Sequence, residues 1–332
     1  MNRCVETIPG GYLTDQKLQS VLDLSIEQID VLQEFFILQE RSLAPNSLRG
    51  LKTDIGHFIS FCRDRGLIAL PASIATIRAF VRYRFESEVK GETIARNLSA
   101  ISKLHDAVNV PNACRSELVK SELKAVRKQR PQRKKQAVPL RFTTIWQWDT
   151  RIAQSTAIAD IRDRAMIWCF YDCLLRGDEL QRIEISWVEF LPDGDAVLHI
   201  PTHKGDQEGL GSEAYLSRHT VIAMKRWLHA AGISSGKIFR SFSLKGEMQS
   251  SISTNGIRQI ISNRGYEMGV VGATNHSFRV GATQDLVEAG ESTARIQLAG
   301  RWKSDRMVMD YSRNQRAQSG AMAELSRRQG RN

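Results

Sequence analysis

The hydrophobic period changes twice along this chain, and that narrows the folds open to it. From Pro45 to about Arg127 apolar residues recur at spacings of three and four, the repeat of amphipathic helices. One stripe is Leu48, Leu51, Ile55, Phe58, Ile59 and Cys62, a second is Ile77, Phe80, Val81 and Phe85, and a third is Ile94, Leu98, Ile101 and Leu104. Between 187 and 200 the pattern becomes strand, turn, strand around Pro192-Asp193-Gly194-Asp195, with a third strand expected at 213–216. Helical spacing then returns over 220–231, 254–268, 276–289, 293–298 and 305–312. The expected fold is mainly α with a small antiparallel β-sheet, and 332 residues are enough for two domains with separate cores.

Charge divides the chain in the same way. The formal charge is +11, so a polyanion is the natural partner. Residues 1–40 carry 2 basic and 7 acidic side chains, residues 41–138 carry 20 and 8, and residues 139–332 carry 25 and 21. The expected organisation is a flexible lead-in and acidic helix over 1–40, a basic helical domain suited to nucleic acid over 41–130, a basic linker over 131–137, and a second domain over 138–332. Ser25-Ile26-Glu27-Gln28 has capping-box spacing and opens the acidic helix, which should avoid phosphates and could pack on a neighbouring subunit. Arg49, Lys52, Arg78, Arg82 and Arg84 lie off the apolar stripes, where basic helices can enter a major groove. The densest basic run includes Arg130, Lys134 and Lys135 and falls between the two helical patterns. Such runs are usually solvated surface; here the position suggests a linker lying along a DNA backbone.

The five cysteines form no CxxC pair and lie among apolar neighbours, which suits a reducing compartment without disulfides. No apolar run is long enough to span a membrane, and no signal peptide opens the chain. An intracellular protein is expected, with no membrane partner.

The chemistry concentrates late in the chain. Transesterification of a phosphodiester needs an in-line nucleophile, donors for the non-bridging oxygens, and a proton for the leaving oxygen. Tyr311 is the candidate nucleophile, although any single tyrosine is more often a packing residue. Arg176 and Arg279 could fork onto phosphate oxygens; Arg176 follows directly on an apolar helix, a costly place for an idle charge. His276 lies three residues before Arg279 and could donate to phosphate or accept the phenol proton. Trp302 offers an indole N–H, or simply fills the core. Lys204, in a glycine-containing loop between strands, could protonate the leaving 5′ oxygen. Glu179 could orient His276 or Arg176. The histidines lack metal-ligand spacing, so no metal and no cofactor are expected.

The order Arg176-x-x-Glu179, Lys204, His276-x-x-Arg279, Trp302, Tyr311 resembles that of the tyrosine site-specific recombinases, the phage integrase superfamily. Leu174-Leu175-Arg176, His276-Ser277-x-Arg279-Val280-Gly281-Ala282, Gly300-x-Trp302 and Val308-Met309-x-Tyr311 carry the likeness, which runs from about Leu43 to Leu325 and is thin in the N-terminal half. The resemblance implies a two-domain, C-shaped clamp on double-stranded DNA with inverted half-sites, a homodimer on one site and a homotetramer on two. It implies a 3′-phosphotyrosine, a Holliday junction, and action without ATP or metal in the bacterial nucleoid. In such a reading Arg176, Arg279, His276 and Trp302 hold the phosphate, Lys204 is the general acid, and the helix around Ala317 to Leu325 docks on the next subunit through Met322 and Leu325. Asn255 and Arg258 would approach base edges. Two departures stand out: the stretch between Glu179 and His276 is short, and Arg301 replaces a usually small residue. A related topoisomerase or telomere resolvase, or a regulator that uses the fold without chemistry, are the alternatives.

Overall fold

The computed structural model describes residues 20–131, 136–202, 206, 209–313 and 320–331. The chain divides into two compact units, 1–134 and 135–332. Lys134, Lys135, Lys204 and Ala317, all singled out above, lie outside the described residues.

The N-terminal unit is helical: α1 (Ile26–Ser42), α2 (Pro45–Arg63), α3 (Ile74–Glu86), α4 (Gly91–Ala107) and α5 (Glu117–Gln129). Ser25 caps α1 through a reciprocal capping box with Gln28, and Pro45 occupies the first turn of α2, where its missing N–H has no helical partner to lose. Phe58, Ile77, Phe80, Val81, Ile94 and Ile101 meet in the core with no exposure, Phe58 and Phe80 edge to face at 5.1 Å. One carboxylate lies among them. Asp54 accepts a fork from Arg96 at 2.7 and 2.9 Å and a bond from the Asn97 amide at 2.8 Å.

The C-terminal unit is built on α7 (Ile158–Cys173), with α6 (Phe142–Ile152) before it and α8 (Gly177–Arg182) after it. Ala165 to Phe170 are all buried, so the middle of α7 has no solvent face. Asp160 sits inside its first turn, where it accepts from Ser155 and Arg264, and Ala157 holds the cap position.

Three short strands follow, β1 (Val188–Phe190), β2 (Ala196–Ile200) and β3 (Ser212–Leu216). They pair antiparallel in chain order, with Val188 opposite Leu198 and Val197 opposite Tyr215. The alternating burial of β2 puts Ala196, Leu198 and Ile200 on the core side. Then come α9 (Arg218–Ala230), α10 (Thr254–Glu267), α11 (Asn275–Glu288), α12 (Thr293–Ala299), α13 (Arg306–Tyr311) and α14 (Ala321–Arg328). Asp172 ties α7 to the start of α9 by accepting from the Ser217 N–H and hydroxyl and from Thr220.

Helix α11 is enclosed from Ser277 to Gln284. The chain at Leu140 passes directly over it, donating its N–H to the Ser277 carbonyl at 3.0 Å. Gly281 permits this approach: a Cβ there would stand 1.8 Å from the Leu140 oxygen. Among the described residues no helix is long and apolar enough to cross a membrane.

Candidate active site

The site begins where α7 stops. Leu174 ends that helix in the left-handed region, φ 46°, a conformation that costs a non-glycine residue about 1–2 kcal/mol. The turn leaves Arg176 just outside the buried helix, about a quarter exposed. It also directs the Leu174 carbonyl towards two guanidiniums. Arg279, fully buried on α11, donates to it through Nη1 and to the Gly300 carbonyl through Nη2 at 2.8 Å. Arg301, itself left-handed at φ 52°, donates to it at 3.3 Å and to the Cys173 carbonyl at 2.8 Å.

Among the described residues, Glu179 is the carboxylate that accepts from this group. Its Oε1 accepts from Arg176 Nη1 at 2.7 Å, and its Oε2 accepts from the Arg176 N–H at 2.9 Å and from Arg301 Nη2 at 3.0 Å. Burial opposes its ionisation, but Arg301 and then Arg176 outweigh burial and hold the carboxyl below its ordinary value. Arg279 shows the reverse balance. Burial, then the Arg176 charge, pulls its pKa down to about 10, which still leaves the guanidinium charged at neutral pH.

Tyr311, at the end of α13, is buried beside this group. Its hydroxyl lies in hydrogen-bond contact with His276 Nε2. His276 stands at the exposed start of α11 and Arg279 one turn deeper, so one helix supplies both a ring nitrogen for the phenol and a charge behind it. Burial raises the Tyr311 pKa, while Arg279 and Arg176 act to lower it. Trp302 packs edge-on to Tyr311 at 5.4 Å, and the Arg279 guanidinium lies 5.0 Å from the centre of its ring. Gly300 makes that packing possible, since a Cβ there would meet the indole at 2.4 Å.

Arg176, Glu179, His276, Arg279, Trp302 and Tyr311 are therefore brought together within one unit. Glu179 meets Arg176 rather than His276, and Trp302 presents its ring face to Arg279. Three neighbours were not expected from the sequence. The Tyr311 carbonyl accepts from the amides of Gln136 at 2.7 Å and Gln284 at 3.2 Å, and Arg301 joins the carboxylate. No periodicity signals the two glutamines. Arg301 stood out in the sequence only as an unusual residue beside the tryptophan.

The basic residues proposed for DNA contact sit elsewhere. In the N-terminal unit Arg49 is exposed and donates to Asn46, Lys52 pairs with Glu40, and Arg78 and Arg82 share Glu122. Arg84 is half-buried, with Nε unpartnered among the described residues, and Arg130 lies 4.3 Å from the ring centre of Phe85. In the C-terminal unit Asn255 and Arg258 are exposed on α10. Among the described residues no group of three or more His, Cys, Asp and Glu side chains is placed to hold a metal ion.

This geometry can be compared with known proteins. The chain is 25% identical over 288 residues to the Cre recombinase of Escherichia phage P1, covering 80% of this chain and 83% of that protein. It is 25% identical over 287 residues to an XerD homologue from Selenomonas ruminantium, covering 82% of each. Its fold is similar to that of XerH recombinase bound to a palindromic difH substrate, with a TM-score of 0.63 at 15% identity over 87% of this chain and 83% of that one. It is also similar to a lambda integrase dimer on a core site, with a TM-score of 0.55 at 15% identity over 89% and 79%. The N-terminal SAM-like domain of phage integrases matches residues 32–108. The phage integrase family itself matches residues 149–318, a span that takes in Arg176, Glu179, His276, Arg279, Trp302 and Tyr311, and the chain belongs to that family, the tyrosine recombinases.

Proposed function

We propose that this protein is a site-specific DNA recombinase that cuts and rejoins strands through Tyr311. The phenol oxygen attacks the scissile phosphorus, the bond from phosphorus to the 5′ oxygen breaks, and a 3′-phosphotyrosine remains. The phenol proton passes to His276 Nε2, and the leaving 5′ oxygen takes its proton from Lys204. Arg176 and Arg279 offset the charge that builds on the non-bridging oxygens. The observation that carries this reading is the contact between the Tyr311 hydroxyl and His276 beside two guanidiniums that both lower the phenol pKa. Burial keeps the free phenol protonated at neutral pH, so deprotonation accompanies attack and needs a neighbouring base.

The likeness to Cre in sequence, and the motif spelling around Arg176, His276 and Tyr311, support a Cre-like course: a dimer on one site, a tetramer on two, and strand exchange through a Holliday junction. The palindromic substrate of the XerH complex supports inverted half-sites on the DNA partner. Arg49, Lys52, Arg78, Arg82, Arg84, Arg130, Lys134 and Lys135 would follow phosphates, with Asn255 and Arg258 at base edges. The working place is the nucleoid of a bacterial host.

The test starts with selection of a bound site from random DNA, followed by a nicked suicide duplex carrying that site. Wild type should trap as a covalent adduct and Tyr311→Phe should not; an adduct persisting in the variant removes the nucleophile. Lys204→Ala should slow cleavage by about 10²–10⁴-fold. A 5′-bridging phosphorothiolate, whose leaving group needs no proton, should restore it, and failure of that rescue rejects the general-acid role.

A further inference from the structure

Arg301 is a guanidinium that the proposed chemistry does not use. Its side chain is 3% exposed, so it does not reach a phosphate in solvent. Its nitrogens are directed inward, to Glu179 and to the carbonyls of Cys173 and Leu174. Two of these three acceptors also serve the proposed clamp. Glu179 holds Arg176, and the Leu174 carbonyl holds Arg279. Removing Arg301 would leave Glu179 with Arg176 as its remaining hydrogen-bonded cation among the described residues, and the left-handed turn at Leu174 with one donor fewer. Arg301 also keeps a backbone conformation that glycine would adopt without strain, φ 52°. The side chain, not the turn, therefore needs an explanation.

We propose that Arg301 is a positioning residue: acting through Glu179 and the Leu174 carbonyl, it holds the Arg176 and Arg279 forks where a phosphate can receive them. The proposal rests on the reading of Arg176, Arg279 and Tyr311 as the strand-cleaving set. It has a consequence for pH. The groups facing Glu179 are Arg176 from the preceding turn, Arg301 from the turn after α12, Arg279 from α11 and the Cys173 thiol at the end of α7. Asp178, on the same helix, is exposed. Burial holds the Cys173 thiol neutral. Without Arg301 the burial of Glu179 is opposed mainly by Arg176, so the carboxyl takes up a proton at higher pH. Protonated, it no longer pairs with Arg176. Glu179 in wild type has a lowered pKa, so its contribution persists to lower pH and is lost only as pH falls through that value.

Arg301→Gly separates the two roles of the position, because it keeps the turn and removes the fork. With the full-length protein and the suicide duplex, single-turnover adduct formation should slow by about tenfold or more at pH 8. The ratio of wild-type to variant rates should widen by about another tenfold towards pH 5.5, as one extra proton binds. Affinity for the same duplex should change less than about twofold, since the Arg301 guanidinium is turned inward to Glu179 and two carbonyls. In Arg301→Gly combined with Glu179→Gln the extra acid limb should vanish. A rate ratio that stays flat across pH, or a loss confined to DNA affinity, would overturn the proposal. If Arg301→Gly does not fold, Arg301→Gln and Arg301→Lys carry the same contrast: the glutamine variant should show the displaced acid limb and the lysine variant, which keeps the charge, should not. Failure of wild type itself to form an adduct would count against the reading of the site and not against Arg301.

Discussion

The N-terminal unit and the candidate site of the C-terminal unit handle arginine in opposite ways. In the N-terminal unit the cations meet carboxylates near water: Arg78 and Arg82 share Glu122 at 2.8 Å, Arg115 meets Asp106 at 2.7 Å, and Arg96 reaches Asp54 while its own side chain stays 62% exposed. A pair exposed on both sides, such as Arg115 with Asp106, is weakly held and can exchange its carboxylate for a phosphate at little cost. In the C-terminal unit Arg279 and Arg301 are buried and donate mostly to main-chain carbonyls, while Glu179 accepts from two guanidiniums at once. Carbonyl dipoles fix a guanidinium without cancelling its charge, so the cluster keeps a positive excess at fixed positions. A surface of exchangeable pairs suits a sliding, salt-sensitive hold on a polyanion. A locked excess suits a single phosphate whose charge grows during reaction.

The contrast can be broken at four places, which differ in expected size. Arg279→Met should lower adduct formation by about 10³-fold, comparable to removing an oxyanion donor, with the melting temperature and DNA affinity measured alongside. A loss of affinity equal to the loss of rate would make Arg279 an ordinary binding residue. Gly281→Ala comes next. The Leu140 carbonyl must move away from α11, at a cost of about 1–3 kcal/mol or more, and chemical denaturation should show it; a stability equal to wild type would mean that this close approach is easily relaxed. Asp54→Ala should destabilise by about 1–3 kcal/mol, because the buried Asn97 amide and the Arg96 fork lose their acceptor, yet cleavage per bound complex should be unchanged. Arg82→Ala should give the smallest effect, a loss of about one unit in the slope of log affinity against log salt with no change in the cleavage rate. A cleavage defect there would erase the distinction between the units.

Much of this division could be read from residue order. The three apolar stripes mark α2, α3 and α4 because their members stack on one face every turn. Pro192-Asp193-Gly194-Asp195 marks the β1–β2 turn because few other sequences turn so tightly. Arg176 stood out as a charge placed directly after an apolar helix, while the family's spacing is what raised His276 and Tyr311 above ordinary packing or surface residues. What stayed hidden depends on contacts distant in sequence. Gln136 and Tyr311 lie 175 positions apart, and no local pattern encodes an amide donating to a carbonyl at that separation. Arg301 could be seen as odd but not as a partner of Glu179, because two left-handed turns had to form before their side chains could meet.

The central claim, that a tyrosine oxygen of this chain becomes bonded to DNA phosphorus, can be measured directly. The trapped adduct is digested with nuclease and trypsin, and the peptide that carries the residual nucleotide is sequenced by mass spectrometry. The account predicts a 3′-phosphonucleotide on Tyr311 and on no other residue. Intact Tyr311 with the nucleotide on another side chain, or no modified peptide from a reaction that has cut its DNA, would contradict it.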